Sequence, residues 1–542
     1  MTPAKDNSNA NDFPGSSVSR SPLAKPRRLG ILLVAGALVA AACTTGGGGT
    51  GPESKGDDTF DVAIGIDLDT VDPAQQTTTT VQNVVDYAVE TLTELNKDGG
   101  IVPGLAESWQ ASDDGRTLTL RLRNGVTFQD GTPFDAKAVK YNLDRLLDTD
   151  VKVPQRAAYT PIDSVDVVDT STVRLNLSRP SPSLPSALSA STAGIISPAS
   201  VEKEGNSYQN IVRPVGTGPY TFQSFRSGDR VVFQRYDGYW GRKPHYRQVV
   251  FHISPEAATR ESQLRAGQAE MIILPPVSDL KALQQDPGVE VLLGPSNRTI
   301  FIALKTTDPR LDDPRVRQAL NYAVDKQALV NNLMFGAAQP LDAPMAPSVD
   351  GYCRTGSYDY DPQRARQLLA DAGANNLSIT LGTPTGRYLQ DKQAADAIAG
   401  NLRDVGVRAQ VQTSDWATYI AANAVPVKQQ KYDIHVLGWA PAFPDASQQM
   451  VQFQTDQHPP AGLATSFYTN KTVDSLVAEA NQEIDAQKRD QLYCEALKTI
   501  WADAPWIFLW VQKFPIAYSS SVTGISGLPN EKFDAVYARP KG

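Results

Sequence analysis

The chain has 542 residues and a formal net charge of −8 at pH 7. Residues 1–42 carry a net charge of +3, so the remainder is near −11, and this acidic balance excludes a broad basic surface for nucleic acid. The four histidines and three cysteines show no metal-ligand spacing, so we expect neither a metal nor another cofactor. A chain of this length also predicts more than one domain.

The N-terminal segment has the pattern of an export signal. A basic stretch ends at Arg28 and is followed by an apolar run over residues 29–42. This run is shorter than the roughly 20 residues that a membrane-spanning helix needs, which favours a cleaved signal. The run ends on alanines directly before Cys43 and resembles the lipobox of bacterial lipoproteins. The resemblance implies that Cys43 is lipid-modified and becomes the N-terminus after cleavage; an ordinary cleaved signal with a chance cysteine is the alternative.

Residues 44–58 read TTGGGGTGPESKGDD and have no apolar side chain to bury, which predicts a flexible linker. We therefore divide the start of the chain into a signal with an N-terminal cytoplasmic extension over residues 1–43 and a linker over residues 44–58. The expected location is outside the cell, with fatty acyl chains such as palmitate anchoring the protein to the outer face of the cytoplasmic membrane.

The remainder of the chain predicts alternating strands and helices. The segment TLTLRLRNGVTF (117–128) predicts a hairpin that turns at Asn124-Gly125. A strand–helix–strand unit is predicted next, by QVVFHI (248–253), PEAATRESQLRAG (255–267) and EMIIL (270–274).

The second half of the chain continues the same alternation. Asp361 is the expected N-cap of a helix that ends before Gly373. The elements that follow are a strand over 377–382, a helix over about 390–404, and strands over 407–413 and 432–439. This order predicts an α/β architecture with largely parallel strands.

Large planar side chains follow three of these predicted strands. Ligands in such folds collect outside the carboxyl ends of the strands. An aromatic residue at any one of these positions would more often pack in the core, but their convergence on one edge indicates a ligand site. The residues concerned are Arg387, Tyr388, Trp416 and Trp439.

Catalytic motifs are missing from the sequence. It contains no G-x-S-x-G elbow and no H-E-x-x-H pair, and VGTGPY (215–220) lacks the Lys-Ser/Thr of a phosphate-binding loop. We therefore expect a binding protein rather than an enzyme.

Nine segments, in this order along the chain, resemble the extracytoplasmic solute-binding proteins of family 5, which include the oligopeptide- and dipeptide-binding proteins of ABC importers. They span nearly the whole chain after the linker. The segments are DTVDPA (69–74), residues 99–147, VGTGPYTFQSF (215–225), YDGYWGRKP (236–244), the segment ending at Met271, residues 312–330, YDPQRARQLLADAG (360–373), residues 406–419 and LGWAPAFPDAS (437–447).

The resemblance implies a two-lobed periplasmic-binding-protein-like fold of class II, in the large cluster with an extra subdomain. The first lobe would comprise 59–298 and 515–542, with the subdomain at roughly 94–195, and the second lobe 299–514. Two crossing strands, near 298–305 and 511–518, would form the hinge. The implied partners are a permease and an ATPase subunit, and we expect a monomer.

The resemblance also implies how a peptide would bind. Main-chain pairing with an extended peptide is expected at Thr70, Val71, Gly438, Trp439 and Ala440. Many relatives have an aspartate for the α-amine of the peptide where this chain has Ala442, and some have an arginine for its carboxylate where this chain has Val436. Asp445 and Arg387 are the nearest substitutes, and Phe443 lies in the same expected contact segment.

Three functions remain open on the sequence alone. The first is an import receptor for peptides, and the second is a receptor of the same fold for an oligosaccharide, haem or metal chelate, as the missing end anchors allow. The third is a surface sensor or adhesion lipoprotein without a transport role. In an exported protein, Cys353 and Cys494 could form a disulfide, or they could be two buried thiols.

Overall fold

The computed structural model describes residues 58–76, 78–201, 203 and 205–542. These residues belong to one compact unit, Gly56–Gly542. The predicted export signal, the predicted lipidation site Cys43 and almost all of the predicted linker lie outside the described residues. No helix in the described part of the chain is both long and apolar enough to cross a bilayer.

The first lobe is built on a mixed sheet with the apolar strand Thr59–Ile64 near its centre. That strand runs parallel to Gln248–Ile253 on one side and to Met271–Ile273 on the other. The predicted strand–helix–strand unit is present, with the helix Ala257–Arg265 between these two strands. The order across the first-lobe sheet is Val289–Gly294, Phe514–Ser519, Met271–Ile273, Thr59–Ile64, Gln248–Ile253, Arg230–Arg235 and Tyr220–Arg226.

The second lobe is built on another mixed sheet, with apolar clusters on both faces. Its order is Ala338–Pro340, Trp506–Gln512, Thr299–Leu304, Ile434–Trp439, Ser378–Pro384 and Arg408–Ser414. Asp361 caps the helix Pro362–Asp371 by accepting a hydrogen bond from the backbone of Arg364, as the sequence predicts. The other helices of this lobe are Pro314–Tyr322, Lys326–Asn332, Asp391–Asp404, Trp416–Asn423, Ala446–Met450, Lys471–Ala480 and Ala486–Asp503.

The sheets contain fewer parallel strand pairs than the sequence predicts. In the second lobe only Ser378–Pro384 pairs in parallel, with a neighbour on each side, and the other described pairings of that sheet are antiparallel. The reason is topological. Strands that enter a lobe from the other lobe, such as Thr299–Leu304, do not follow a crossover helix and can pair in either direction.

The chain passes between the two lobes at two adjacent places. Residues 295–298 link Val289–Gly294 of the first-lobe sheet to Thr299–Leu304 of the second-lobe sheet. Lys513 alone separates Trp506–Gln512 from Phe514–Ser519, so the predicted single strand over 511–518 is divided between the two sheets.

A subdomain of the first lobe has its own sheet and core. The strand order is Ala106–Ala111, Thr117–Leu122, Thr172–Leu177 and Ile162–Asp169, and the helix Ala136–Leu147 packs on it. The hairpin predicted over 117–128 is wrong, because Thr117–Leu122 already has a partner strand on each side. The residues after Gly125 make only an isolated bridge, from Thr127 to Pro133.

The remaining elements of the first lobe are short. They are the helices Thr79–Val85, Leu184–Ala187 and Leu280–Gln284 and the strand pairs Thr93–Leu95 with Ile101–Pro103, Val522–Thr523 with Arg539–Pro540, and Ser526–Gly527 with Phe533–Asp534. The helix Thr79–Val85 begins at Thr78, whose hydroxyl accepts a hydrogen bond from the backbone of Val81. That helix contributes to the site described below.

Cys353 and Cys494 form a disulfide in the second lobe, with 5.2 Å between their Cα atoms and 141 residues of sequence separation. A bond that closes so long a loop restricts the unfolded chain. We expect replacement of both cysteines by alanine to lower the free energy of unfolding by about 2–4 kcal/mol, measured by urea denaturation.

Reductant provides the control for this prediction. It should lower the denaturation midpoint of the wild-type protein toward that of the double variant and leave the variant unchanged. A double variant with the wild-type midpoint would contradict the prediction.

Candidate functional site

A cavity of about 240 Å³ lies between the two lobes. The second lobe lines it with Arg387, Tyr388, Trp416, Gly438, Trp439 and Ala440. The first lobe and the C-terminal tail line it with Thr78, Thr79, Gln82, Gln155 and Asn530. Ala442, where the resemblance noted in the sequence implies an aspartate, is also part of the lining.

The carboxyl ends of neighbouring strands deliver the second-lobe residues. Ser378–Pro384 and Arg408–Ser414 are parallel and in register, so the loops that follow them emerge at the same edge. Asp391 shapes the first of these loops by accepting hydrogen bonds from the backbone N–H groups of Gly386, Arg387 and Tyr388. The structure thus brings together the planar side chains that the sequence placed at three strand ends.

Arg387 is the cavity cation that forms no ion pair with a described residue. Its guanidinium carbon lies 5.1 Å from the ring centre of Tyr388 and 5.0 Å from that of Trp416. The carboxylates of Glu531 and Asp391 act to raise its pKa through their charge, but neither is paired with it. Burial and then the nearby Arg298 cation lower the pKa of Arg387, because both disfavour its charged form. A guanidinium nevertheless stays protonated at neutral pH.

Arg298, in contrast, has a counter-charge. Its Nε donates to Oε1 of Glu531 at 2.9 Å and its Nη2 to Oε2 at 2.5 Å, and both side chains are buried. Burial acts to lower the pKa of Arg298, but the Glu531 carboxylate outweighs it and the pKa is raised. Among the described residues that line the cavity, only Arg298 and Arg387 are charged, and of these two only Arg298 has an ion pair.

The last residues of one second-lobe strand, Leu437 to Trp439, also line the cavity. Ile434–Trp439 pairs along its length with Thr299–Leu304, but it meets Ser378–Pro384 only at Ile434 and His435. Beyond His435 that edge therefore has no strand partner among the described residues. The Tyr388 hydroxyl donates to the Gly438 carbonyl across this gap at 3.4 Å. Gly438 must be glycine here, because a Cβ would lie 2.6 Å from the Tyr388 ring.

Four predicted contact residues do not line the cavity. Thr70 accepts a hydrogen bond from the backbone of Asp72, and Val71 is buried in the first-lobe core. Phe443, although it belongs to the second lobe, is 2% exposed and packs into the subdomain core.

Asp445 is 2% exposed and is engaged by Arg489, whose Nη2 donates to its carboxylate oxygens at 2.8 and 2.7 Å. Its carboxylate is therefore not the replacement for the aspartate missing at Ala442.

Polar residues that the sequence did not single out complete the cavity. Asn530 is 6% exposed, and its Oδ1 atom has no hydrogen-bond partner in the described part of the chain. Gln82 lies on the helix Thr79–Val85, and Gln155 is half-buried on a subdomain loop. No motif marks these residues, because they come from three separate segments that only the folded chain brings together.

The two lobes and the cavity between them define a solute-binding protein. The family model of bacterial extracellular solute-binding proteins, family 5 Middle, matches residues 100–460, and the chain belongs to this family. It is a solute-binding protein of an ABC importer and not an enzyme.

Curated relatives and solved structures agree with this assignment. The chain is 32% identical over 475 residues to the glutathione-binding protein GsiB of Pectobacterium atrosepticum, which covers 87% of this chain and 92% of the relative. It is 33% identical over 477 residues to GsiB of Salmonella typhimurium, with the same coverage.

The same fold occurs in the substrate-binding protein CtaP of Listeria monocytogenes, at a TM-score of 0.81, 22% identity, and coverage of 90% of this chain and 100% of that chain. It also occurs in DppA of Helicobacter pylori in complex with the peptide STSA, at a TM-score of 0.76, 23% identity, and coverage of 89% and 98%.

Replacing Asp445 by asparagine should destabilise the protein. Arg489 would stay buried with only the exposed Asp350 nearby, at 3.6 Å, and loss of one partner of a buried ion pair costs about 3–5 kcal/mol. Denaturation in urea measures this loss, and solute affinity of the folded variant should remain near wild type.

Asp415→Asn is the matched control. Asp445 and Asp415 are both helix N-caps, and asparagine caps as well as aspartate, but Asp415 is exposed. Equal losses of stability in the two variants would show that the ion pair with Arg489 contributes little.

Proposed function

We propose that this chain is the lipid-anchored receptor of an ABC importer for a small peptide with a net negative charge. The observation that carries the proposal is Arg387, a cation without an ion pair among the described residues, in a cavity that no described acidic residue lines. Ligand contacts are proposed at Arg387, Tyr388, Trp416 and the main chain of Gly438 to Ala440.

A carboxylate is the group that best satisfies Arg387. Guanidinium groups bind carboxylates through two parallel hydrogen bonds, and such charge-assisted bonds are roughly twice as strong as neutral ones. The aromatic faces of Tyr388 and Trp416 restrict the guanidinium without neutralising it. A ligand carboxylate would therefore gain a preorganised partner, and Arg387 would gain an ion pair.

The amine of such a ligand meets only neutral acceptors. Ala442 offers no carboxylate, and the buried Oδ1 of Asn530 is an acceptor without a partner among the described residues. A peptide whose carboxylates outnumber its ammonium groups fits this balance better than a zwitterionic peptide. Glutathione has two carboxylates and one ammonium group at neutral pH, and the names of the GsiB relatives support it as the first ligand to test.

The size of the cavity also favours a small ligand. Its volume of about 240 Å³ lies below the range of about 300–1,000 Å³ that is usual for drug-sized ligands. A dipeptide or tripeptide suits this volume better than a long oligopeptide.

A small non-peptide anion is the second candidate. Ala442 favours it, because a ligand without an amine needs no carboxylate at this position. Such an anion would use Arg387 in the same way.

Arg387→Gln tests the proposal. We expect at least a ~30-fold loss of glutathione affinity in calorimetric titration, because removing one partner of a buried charge pair costs about 2 kcal/mol or more. Arg387→Lys should lose less, since it keeps the charge but not the planar fork.

Arg408→Gln removes an exposed arginine from a neighbouring strand and should leave affinity unchanged. No saturable binding of glutathione or other small anionic peptides by the wild-type protein would refute the peptide assignment. Binding of a non-peptide anion that is lost in Arg387→Gln would then support the second candidate.

The lipid anchor is proposed at Cys43, outside the described residues. Its support is the apolar run and the alanines that precede this cysteine. In cells fed radiolabelled palmitate, the wild-type protein should incorporate label and sediment with membranes, and Cys43→Ser should do neither. If Cys43→Ser incorporated as much label as the wild type, the lipid would be attached at another residue. If neither protein incorporated label, the proposed lipid anchor would be refuted.

A further inference from the structure

A chain of hydrogen bonds runs through the first lobe and reaches the cavity at both of its ends. The Gln82 side-chain amide donates to Gln76 Oε1 at 3.2 Å, and the Gln76 amide donates to Thr192 Oγ1 at 2.8 Å. The Thr192 hydroxyl then donates to Gln155 Oε1 at 3.4 Å. We name these four side chains the glutamine relay.

Only the terminal members of the glutamine relay line the cavity. Gln82 and Gln155 are lining residues, whereas Gln76 is 0% exposed and Thr192 is 1% exposed. The relay joins the segment around the helix Thr79–Val85 to two separate segments of the subdomain. Hydrogen bonds that only held these segments together could be made by buried side chains alone. The relay instead ends on two amides that line the cavity, where a ligand could contact them.

The relay fixes what its ends can offer. Each glutamine has one oxygen that accepts hydrogen bonds and one nitrogen that carries two N–H donors, and the threonine hydroxyl both accepts and donates. The Gln82 nitrogen and the Gln155 oxygen make the relay bonds, so the atoms that take no part in the relay are the Gln82 oxygen and the Gln155 nitrogen. If all three amides and the hydroxyl reverse, the two ends exchange roles. In either direction one end keeps an amide oxygen and the other an amide nitrogen outside the relay, and both groups are uncharged.

We infer that Gln82 and Gln155 recognise an amide bond of the ligand, with Gln76 and Thr192 as positioning residues. This inference rests on the proposed function and deepens it, because it names the first-lobe side chains that bind the ligand's amide and disfavours the second candidate when that anion has no amide. An amide offers one N–H donor and one C=O acceptor, which are the complements of the two relay ends. The second lobe would then bind the charge through Arg387, and the first lobe would bind the neutral backbone.

A break in the middle of the relay should weaken both of its ends, because buried hydrogen bonds in a chain polarise one another. Thr192 is the place to make that break, because it does not line the cavity. A loss of ligand affinity when Thr192 is replaced would therefore result from the broken relay and not from the loss of a direct contact with the ligand.

The experiment uses glutathione and two analogues, each with one of its amides replaced by an ester. The ester keeps the carbonyl and removes the N–H. The wild-type protein should bind glutathione about tenfold more tightly than one of the two esters, as expected for about one hydrogen bond of this kind. Thr192→Val should lose about tenfold in glutathione affinity and lose much less for that ester. Thr192→Ser, which keeps the hydroxyl, should stay near wild type.

The outcomes separate this inference from the proposed function. Equal affinities for glutathione and both esters, or equal effects of Thr192→Val and Thr192→Ser, would overturn the relay, while loss of all binding in Arg387→Gln would still support the anion receptor. If the wild-type protein binds none of the three compounds, both proposals fail. Should Thr192→Val fold poorly, Gln155→Leu at the half-buried end of the relay replaces it, with the same expected preference.

Discussion

The buried ion pair between Arg298 and Glu531 determines the charge of the whole site. Arg298 lies where the chain first crosses between the lobes, and Glu531 lies in the C-terminal tail, so the pair joins two segments that are 233 residues apart. Removing either partner would leave a buried charge without compensation, which is strongly destabilising. Because the Glu531 carboxylate forms its ion pair with Arg298, Arg387 is the cavity cation without an ion pair among the described residues, and Glu531 and Asp391 act on it only through the field of their charges.

Local sequence signals predicted much of the fold. The N-cap at Asp361 and the strand–helix–strand unit over 248–273 were predictable, because caps, turn residues and apolar periodicity act over a few residues. The hairpin after Thr117 was not, since its pattern also suits a strand with a partner on each side. The strand pairs with Thr172–Leu177, which is distant in sequence, and not with the residues directly after Gly125. No local pattern encodes such a partner.

The same difference between local signals and long-range contacts decides which residues of the site could be predicted. Arg387, Tyr388, Trp416 and Trp439 follow strands directly, so their convergence could be inferred from the strand order that an α/β fold implies. The burial of Asp445 in an ion pair could not be inferred from the sequence, because its partner Arg489 lies on a helix 44 residues later. Gln82, Gln155 and Asn530 carry no signal in the sequence, since neutral amides are common on surfaces and become informative only when they are buried at a cavity.

Phe443 determines what the opening of the cleft must involve. This ring belongs to the second lobe but is buried in the core of the first-lobe subdomain. Separating the lobes would withdraw it into water, at about 2 kcal/mol for an apolar side chain of this size. That contribution is the same for every solute, so it favours closure without distinguishing one ligand from another. If the lobes separate to admit a ligand, selectivity would then depend on the polar groups of the cavity, and part of the free energy of closure would not have to come from the ligand.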